Sequence, residues 1–305
     1  MKNIDELKAA VEAVFALGVN FELFLGVMVD QNLTYLRSDL NDVSTRAICA
    51  SYVGGVRNYF GNEDLTVLPL SAIDNRSDVL IGYDLPDKPA GFDVIAALQA
   101  VQPEIFSFDQ YDIADIKALV IKISSVNSSI MFFKQLYPVS LVRQNQIMMK
   151  KIGNRFEYVD GDVLKITNGF DVMLLDDEFF ITDLKKFEKS FGFDEIAKQV
   201  QRQTAQNIID LGLVDDLKSY LIDGHAPRRD MLRVATSEVL LMPADAIILF
   251  ATSIQAKTGI KIENNKIQLS SKESVKRFVK LLNDDYLKSG LTMNDYDSLA
   301  KNKML

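Results

Sequence analysis

Ile116-Lys117-Ala118-Leu119-Val120-Ile121-Lys122-Ile123, a break at Asn127-Ser128-Ser129, and then Ile130-Met131-Phe132-Phe133 form the stretch on which the fold turns. β-branched and aromatic residues dominate both runs, and a turn-forming trio separates them, so the spacing predicts a β-hairpin. Downstream, more short runs follow at Met148–Ile152, Phe156–Val159, Val163–Ile166, Val172–Leu175 and Phe179–Ile181. Gly153-Asn154, Asp160-Gly161-Asp162 and Asp176-Asp177 separate them and suit turns. The block predicts an antiparallel meander over 111–183.

From Leu184 the period changes from two to helical. Helices are expected at 184–190, 194–211, 214–222, 227–241 and 243–256, with Pro227 and Pro243 at early helix positions. A small hairpin turns at Asn264-Asn265, and Ser271 starts a helix through Leu282, as an N-cap without a full capping box. The end, Leu291–Leu305, reads as a tail. Upstream, residues 3–17 show a helical apolar stripe, and Phe21–Val29 with Leu33–Leu36 read as paired strands. A helix over 42–60, starting near Asp42 or Ser44 and containing Gly54-Gly55, precedes strands at 66–70 and 78–83, split by Asp74-Asn75-Arg76. A helix over 91–101 stops before Pro103. The class is α+β: an N-terminal α/β region, a central antiparallel sheet and a helical C-terminal region. A polar boundary near residue 110 divides it into an acidic domain over 1–110 and a second domain over 111–305, with the meander at 111–183 and the helices at 184–305.

The chain has 305 residues, of which 48% are apolar and 25% charged, enough for a large core without metal or disulfide. Its one cysteine, Cys49, excludes an internal disulfide. The acidic start, with Asp5, Glu6 and Glu12, does not read as a signal peptide. The apolar run Ala244–Ile254 contains Asp245 and has half the roughly 20 residues a membrane span needs. The expectation is a cytoplasmic protein that does not insert into the bilayer. Residues 1–110 hold 16 acids and 7 bases, residues 111–192 hold 11 of each, and residues 193–305 hold 15 acids and 16 bases. A polyanion would be repelled by the first third and tolerated by the rest.

Catalytic sets are missing from the sequence. His225 stands alone in a loop, and Cys49 lies among Ile48, Ala50 and Val53 as a buried, inert thiol. One His and one Cys suit neither a zinc site nor a Cys–His nucleophile, and no glycine-rich phosphate loop or nucleophile elbow occurs. Asp160, Asp162, Asp176, Asp177 and Glu178 could hold a divalent cation in a nuclease, but aspartates are wanted at those turns in any case. Asp215-Asp216 and Asp284-Asp285 read as helix ends. No cofactor, no metal and no enzyme activity are expected.

Basic residues say more. Lys272, Lys276 and Lys280 recur every four residues on one helix face and Arg277 flanks them, while Val275, Phe278, Val279 and Leu282 form the buried face. Arg228, Arg229 and Arg233 cluster near a helix start, where the dipole disfavours cations and an anionic partner would compensate. Lys150, Lys151 and Arg155 form a third group. Such stripes can track phosphates, although each can equally be a solvated face.

The run Ile116–Ile123, the pair Phe170-Asp171, the stretch Phe179-Phe180-Ile181-Thr182-Asp183 with Phe187-Glu188 and Phe191, and Leu291-Thr292 with Tyr296 and Ala300-Lys301 resemble the KwaB family of bacterial Kiwa anti-phage defence. The resemblance spans about residues 105–303, and its motifs are short. It implies a cytoplasmic protein that binds double-stranded DNA and works beside an integral membrane partner, KwaA, at the inner face of the membrane. Together they block phage DNA replication and late expression. It offers no catalytic residues; the aromatics Phe187 and Tyr296 read as packing. With an acidic first third, DNA contact falls to the C-terminal half, and a homo-oligomer would multiply weak contacts. The alternatives are a metal-dependent nuclease on the acidic turns and a scaffold that docks on a membrane protein without touching DNA.

Overall fold

The computed structural model describes residues 1–16, 19–30, 32–73, 77–126, 128–136, 141–142, 149–159, 163–214 and 228–298, the side chains of Asn32, Leu141, Val142, Lys150 and Arg228 aside. Along the chain stand α1 (Ile4–Phe15), β1 (Asn20–Val29), β2 (Asn32–Arg37), α2 (Asp42–Phe60), β3 (Thr66–Pro69), β4 (Val79–Gly82) and α3 (Ala90–Ala97). Next come β5 (Ile116–Ser124), β6 (Ser129–Gln135), β7 (Leu141–Val142), β8 (Met149–Ile152), β9 (Arg155–Tyr158), β10 (Val163–Leu164), β11 (Val172–Leu175) and β12 (Glu178–Ile181). The rest is α4 (Leu184–Ser190), α5 (Phe193–Asp210), α6 (Arg228–Ala235), α7 (Ala244–Thr258), β13 (Lys261–Glu263), β14 (Lys266–Gln268), α8 (Lys272–Leu282), β15 (Tyr286–Lys288) and β16 (Asp295–Asp297). The chain forms two compact units: Met1–Val67 with Pro89–Phe191, and Leu68–Lys88 with Gly192–Leu305.

In the first unit six strands lie in the order β2-β1-β5-β6-β11-β12, each antiparallel to the next. The hairpin read from residues 116–133 is there, with Ala118 opposite Gln135 and Ser124 opposite Ser129. β5 also pairs with β1, so segments from before and after residue 110 share this sheet. Leu119, Val120 and Ile121 are all fully buried, although neighbours on a strand face opposite sides. Both faces are therefore covered; α1 lies against β5 and β6, and α2 against β1. At Gly26 the β1–β5 register shifts, and a Cβ there would come within 3.0 Å of the Tyr35 ring and 3.1 Å of the Ala118 Cβ. β5, β6, β11 and β12 follow one another in space, but the intervening strands leave the sheet. β8 pairs with β9, and β7 with β10, as separate two-stranded ladders. A single meander over 111–183 is thus interrupted between β6 and β11.

Aromatic packing closes one end of this unit. The Phe92 ring stacks on Phe179 with centroids 3.6 Å apart, and Phe187 and Phe191 pack beside it. Gly91 permits the approach, since its Cβ would stand 2.7 Å from Phe191. Two helix ends differ from the sequence reading. α2 is capped by Asn41, whose Oδ1 accepts the Ser44 N–H at 2.8 Å, rather than by Asp42 or Ser44. α3 stops at Ala97 and unwinds through tighter turns, with Gln99 N–H bonded to the Ala96 carbonyl, well before Pro103.

The second unit is built on a helical core of Ile208, Met231, Val234, Ala251, Val275 and Phe278. Its early segment, with β4, joins through Thr236 Oγ1, which donates to the Ser71 carbonyl at 3.1 Å. The helix expected over 227–241 breaks after Ala235, where Ser237 caps a short 3-10 turn over Glu238–Leu241. The anticipated hairpin at Asn264-Asn265 is present, with both residues at positive φ in the turn. Asp74-Asn75-Arg76, Asn127, Asp160-Gly161-Asp162, Asp215-Asp216, most of the helix expected at 214–222, His225, Pro227 and Ala300-Lys301 lie outside the described residues. Among the described residues no helix is long and apolar enough to cross a membrane.

Candidate functional site

α8 is strongly amphipathic. Val275, Phe278, Val279 and Leu282 are buried, which leaves Lys272, Lys276 and Lys280 on the outer side, as their spacing requires. Its start holds a reciprocal pair that the sequence reading did not foresee. The Ser274 N–H donates to Ser271 Oγ at 3.2 Å, and the Ser271 N–H donates to Ser274 Oγ at 2.9 Å. Ser274 does here what a glutamate usually does in a capping box.

The outer face of α8 is one wall of a groove of about 480 Å³ within the second unit. α8 contributes Lys276, Arg277 and Lys280; α7 contributes Phe250 and Lys257; and β15 and β16 contribute Tyr286, Lys288, Asp295, Tyr296 and Asp297. With Glu273 the lining carries five cations against three carboxylates. The cations are not equally available. Lys257 Nζ donates to Asp295, and Lys280 Nζ to Asp297 at 2.6 Å. Lys276 lies 3.7 Å from Glu273. Arg277 Nη1 donates to the Gly259 carbonyl at 3.2 Å, at the C-terminus of α7. A guanidinium there complements the helix dipole. The bond from Lys257 holds the Asp295 carboxyl below its ordinary range. Burial, with the nearby carboxylate of Asp297 reinforcing it, pushes the Tyr286 hydroxyl up to about 12.

The arginines expected at the start of α6 are divided. Arg228 and Arg229 open the helix, the side chain of Arg228 being outside the described set. Arg233 is turned inward: its Nη2 lies 2.9 Å from Asp285 Oδ1, with the two side chains 12% and 2% exposed. Asp285, expected as a helix-end residue, is therefore half of a buried ion pair. The third basic group sits apart in the first unit, where Arg155 lies 3.5 Å from Glu157 on β9.

The sequence reading missed the hairpin. The stretch taken as a tail from Leu291 supplies β16, which pairs with β15 so that Tyr286 faces Asp297 and Lys288 faces Asp295. Tyr296, read as a packing residue, is 51% exposed at the groove. Alternating charged residues over three positions give no strand signal strong enough to read.

Comparison with known proteins now decides the family. The family model described as Kiwa protein KwaB-like matches residues 113–292, more than half of the chain. The chain belongs to the KwaB-like family. It is also 23% identical over 282 residues to the Kiwa protein KwaB of Escherichia coli O55:H7 (strain RM12579 / EPEC), covering 88% of this chain and 89% of that one. No solved structure matches significantly. This KwaB-like chain is accordingly a component of anti-phage defence. The matched residues begin just before β5 and end in the β15–β16 turn, so they include the α7, α8 and β15 sides of the groove but not β16.

Of the acidic positions considered for a metal, the described ones, Asp176, Asp177 and Glu178, have other work in this KwaB-like structure. Asp176 and Asp177 both adopt positive φ in the turn between β11 and β12. Lys2 Nζ lies 3.1 Å from Asp176 and 3.3 Å from Glu178. Among the described residues no three His, Cys, Asp or Glu side chains are grouped to hold a metal ion. Asp171 of the Phe170-Asp171 pair is buried, accepts the Gln135 N–H at 2.7 Å and holds Lys186 at 2.7 Å, which is a packing role in the sheet. Cys49 is only half-buried, less than expected; burial still pushes its thiol up, away from the reactive thiolate.

Proposed function

We propose that this chain is the DNA-binding component of a Kiwa-type defence system, acting by binding rather than by catalysis. The basic groove beside α8 carries the reading. Lys276, Lys280 and Lys288 lie along one concave surface with Lys272 exposed at the start of the same helix, so four ammonium groups can follow a phosphate backbone. Arg228 and Arg229 at the start of α6 provide a second contact patch. Arg277 and Arg233 act by fixing the helices that present the lysines. Double-stranded DNA is the ligand, held through its phosphates. The chain is cytoplasmic, recruited to the inner face of the membrane by an integral membrane partner of the KwaA kind. It works as a homo-oligomer that multiplies weak contacts. The outcome for the phage is a block of DNA replication and late expression.

Fluorescence anisotropy with a labelled duplex tests this over a salt series. Binding should weaken steeply with salt, and Lys272→Glu with Lys276→Glu and Lys280→Glu should weaken it at least tenfold and reduce the log–log salt slope by about 3. An unchanged affinity in the triple variant removes α8 from the interface. No binding of the wild type at low salt removes the proposal.

A further inference from the structure

In the groove, two of its cations already hold anions supplied by the same chain. β16 places Asp295 and Asp297 on one face, two residues apart, and they bind Lys257 and Lys280 respectively. Positions i and i+2 of a strand lie about 6.8 Å apart, close to the separation of neighbouring phosphates along a nucleic-acid strand. The carboxylates thus present two negative charges to two lysines much as a dinucleotide would.

We propose that the groove is a phosphodiester site kept closed by this hairpin, and that a polynucleotide backbone enters it by displacing Asp295 and Asp297 from Lys257 and Lys280. The proposal rests on the DNA-binding reading above and adds its regulation. The contact is suited to exchange. Each pair keeps one member open to water, Lys257 at 66% and Asp297 at 53% exposed, against 26% for Asp295 and 30% for Lys280, and ion pairs at a surface contribute little. The ladder has three residues on each strand, and a two-stranded hairpin of that size is marginal alone. Its root, by contrast, is fixed. Asp285 is held in its buried pair with Arg233 and Tyr286 packs against the helical core, whereas the 2.8 Å bond from the Ser298 N–H to the Asp285 carbonyl is one that β16 gives up when it lifts. β16 can therefore lift while β15 stays, uncovering two lysines for phosphate.

Duplex affinity of the full chain, together with hydrogen exchange of the 286–298 segment with and without DNA, tests this. Asp295→Asn with Asp297→Asn should bind DNA roughly tenfold more tightly at low salt. In the wild type, adding DNA should make the β15–β16 amides exchange faster, the reverse of ordinary protection by a ligand. Glu273→Gln removes one charge from the same groove without freeing a cation held at hydrogen-bond distance, and so measures the general charge effect. If the single Asp297→Asn tightens binding no more than Glu273→Gln, or if DNA slows exchange in the hairpin or leaves it unchanged, displacement is overturned while DNA binding stands. If neither the wild type nor the double variant binds, the DNA-binding reading falls and this proposal with it.

Discussion

Replacing Arg233 by alanine separates the two ways of reading the arginines of α6. On sequence grounds Arg233 contacts an anionic partner; in the structure it neutralises Asp285, which is 2% exposed. Truncating one member of a buried ion pair leaves the other charge without its counterion, at a cost of about 3–5 kcal/mol. The lower end applies, because Asp285 keeps other interactions, so about 3 kcal/mol is expected. For cooperative unfolding of a chain of 305 residues that lowers the melting temperature by roughly 5 °C. Differential scanning calorimetry of wild type, Arg233→Ala, Asp285→Ala and the double variant completes the cycle. The double variant should be clearly more stable than the sum of the single losses, because no buried charge is then left unpaired. DNA affinity of the folded Arg233→Ala protein should fall less than that of the triple α8 variant. A melting temperature unchanged by Arg233→Ala, combined with a large loss of DNA affinity, would refute the pairing argument and return Arg233 to the interface.

Two further outcomes follow from the first unit. Phe92→Ala empties a site that is 1% exposed and stacked on Phe179, and should cost about 3–5 kcal/mol in urea unfolding; a loss under 1 kcal/mol would mean that the aromatic cluster is not the core of that end. Burial acts to raise the Glu178 carboxyl, but the N-terminal amine and Lys2 outweigh it and hold the carboxyl below its ordinary range. Its folded pKa is depressed, so its contribution is present above the unfolded value of 4.5 and is lost as pH falls through the lower, folded value. Glu178→Gln should therefore flatten the acid limb of a stability–pH profile and leave its alkaline limb less affected; an acid limb identical to wild type would show that the tether contributes nothing.

Local chemistry made much of this molecule legible. The β-branched runs at 116–123 and 130–133 form β5 and β6 because strand propensity and a turn between them act over a few residues. The four-residue spacing of Lys272, Lys276 and Lys280 against Val275, Phe278, Val279 and Leu282 placed the basic face of α8 for the same reason, since the helical period is a local rule. Tertiary structure alone decided which charges are available. Arg233 meets Asp285 across 52 positions, and Lys280 meets Asp297 across 17. Nothing in the pattern around either arginine or lysine announces its partner, because Coulomb attraction and burial depend on distance in space. The hairpin of β15 and β16 belongs to the same class. Tyr286-Leu287-Lys288 and Asp295-Tyr296-Asp297 have no strand preference strong enough to read, and they become strands where α7 and α8 offer cations for Asp295 and Asp297. The sequence by itself determined a KwaB-like α+β chain with a basic helix near its end; only the packing of that end decided that two of its lysines already hold carboxylates.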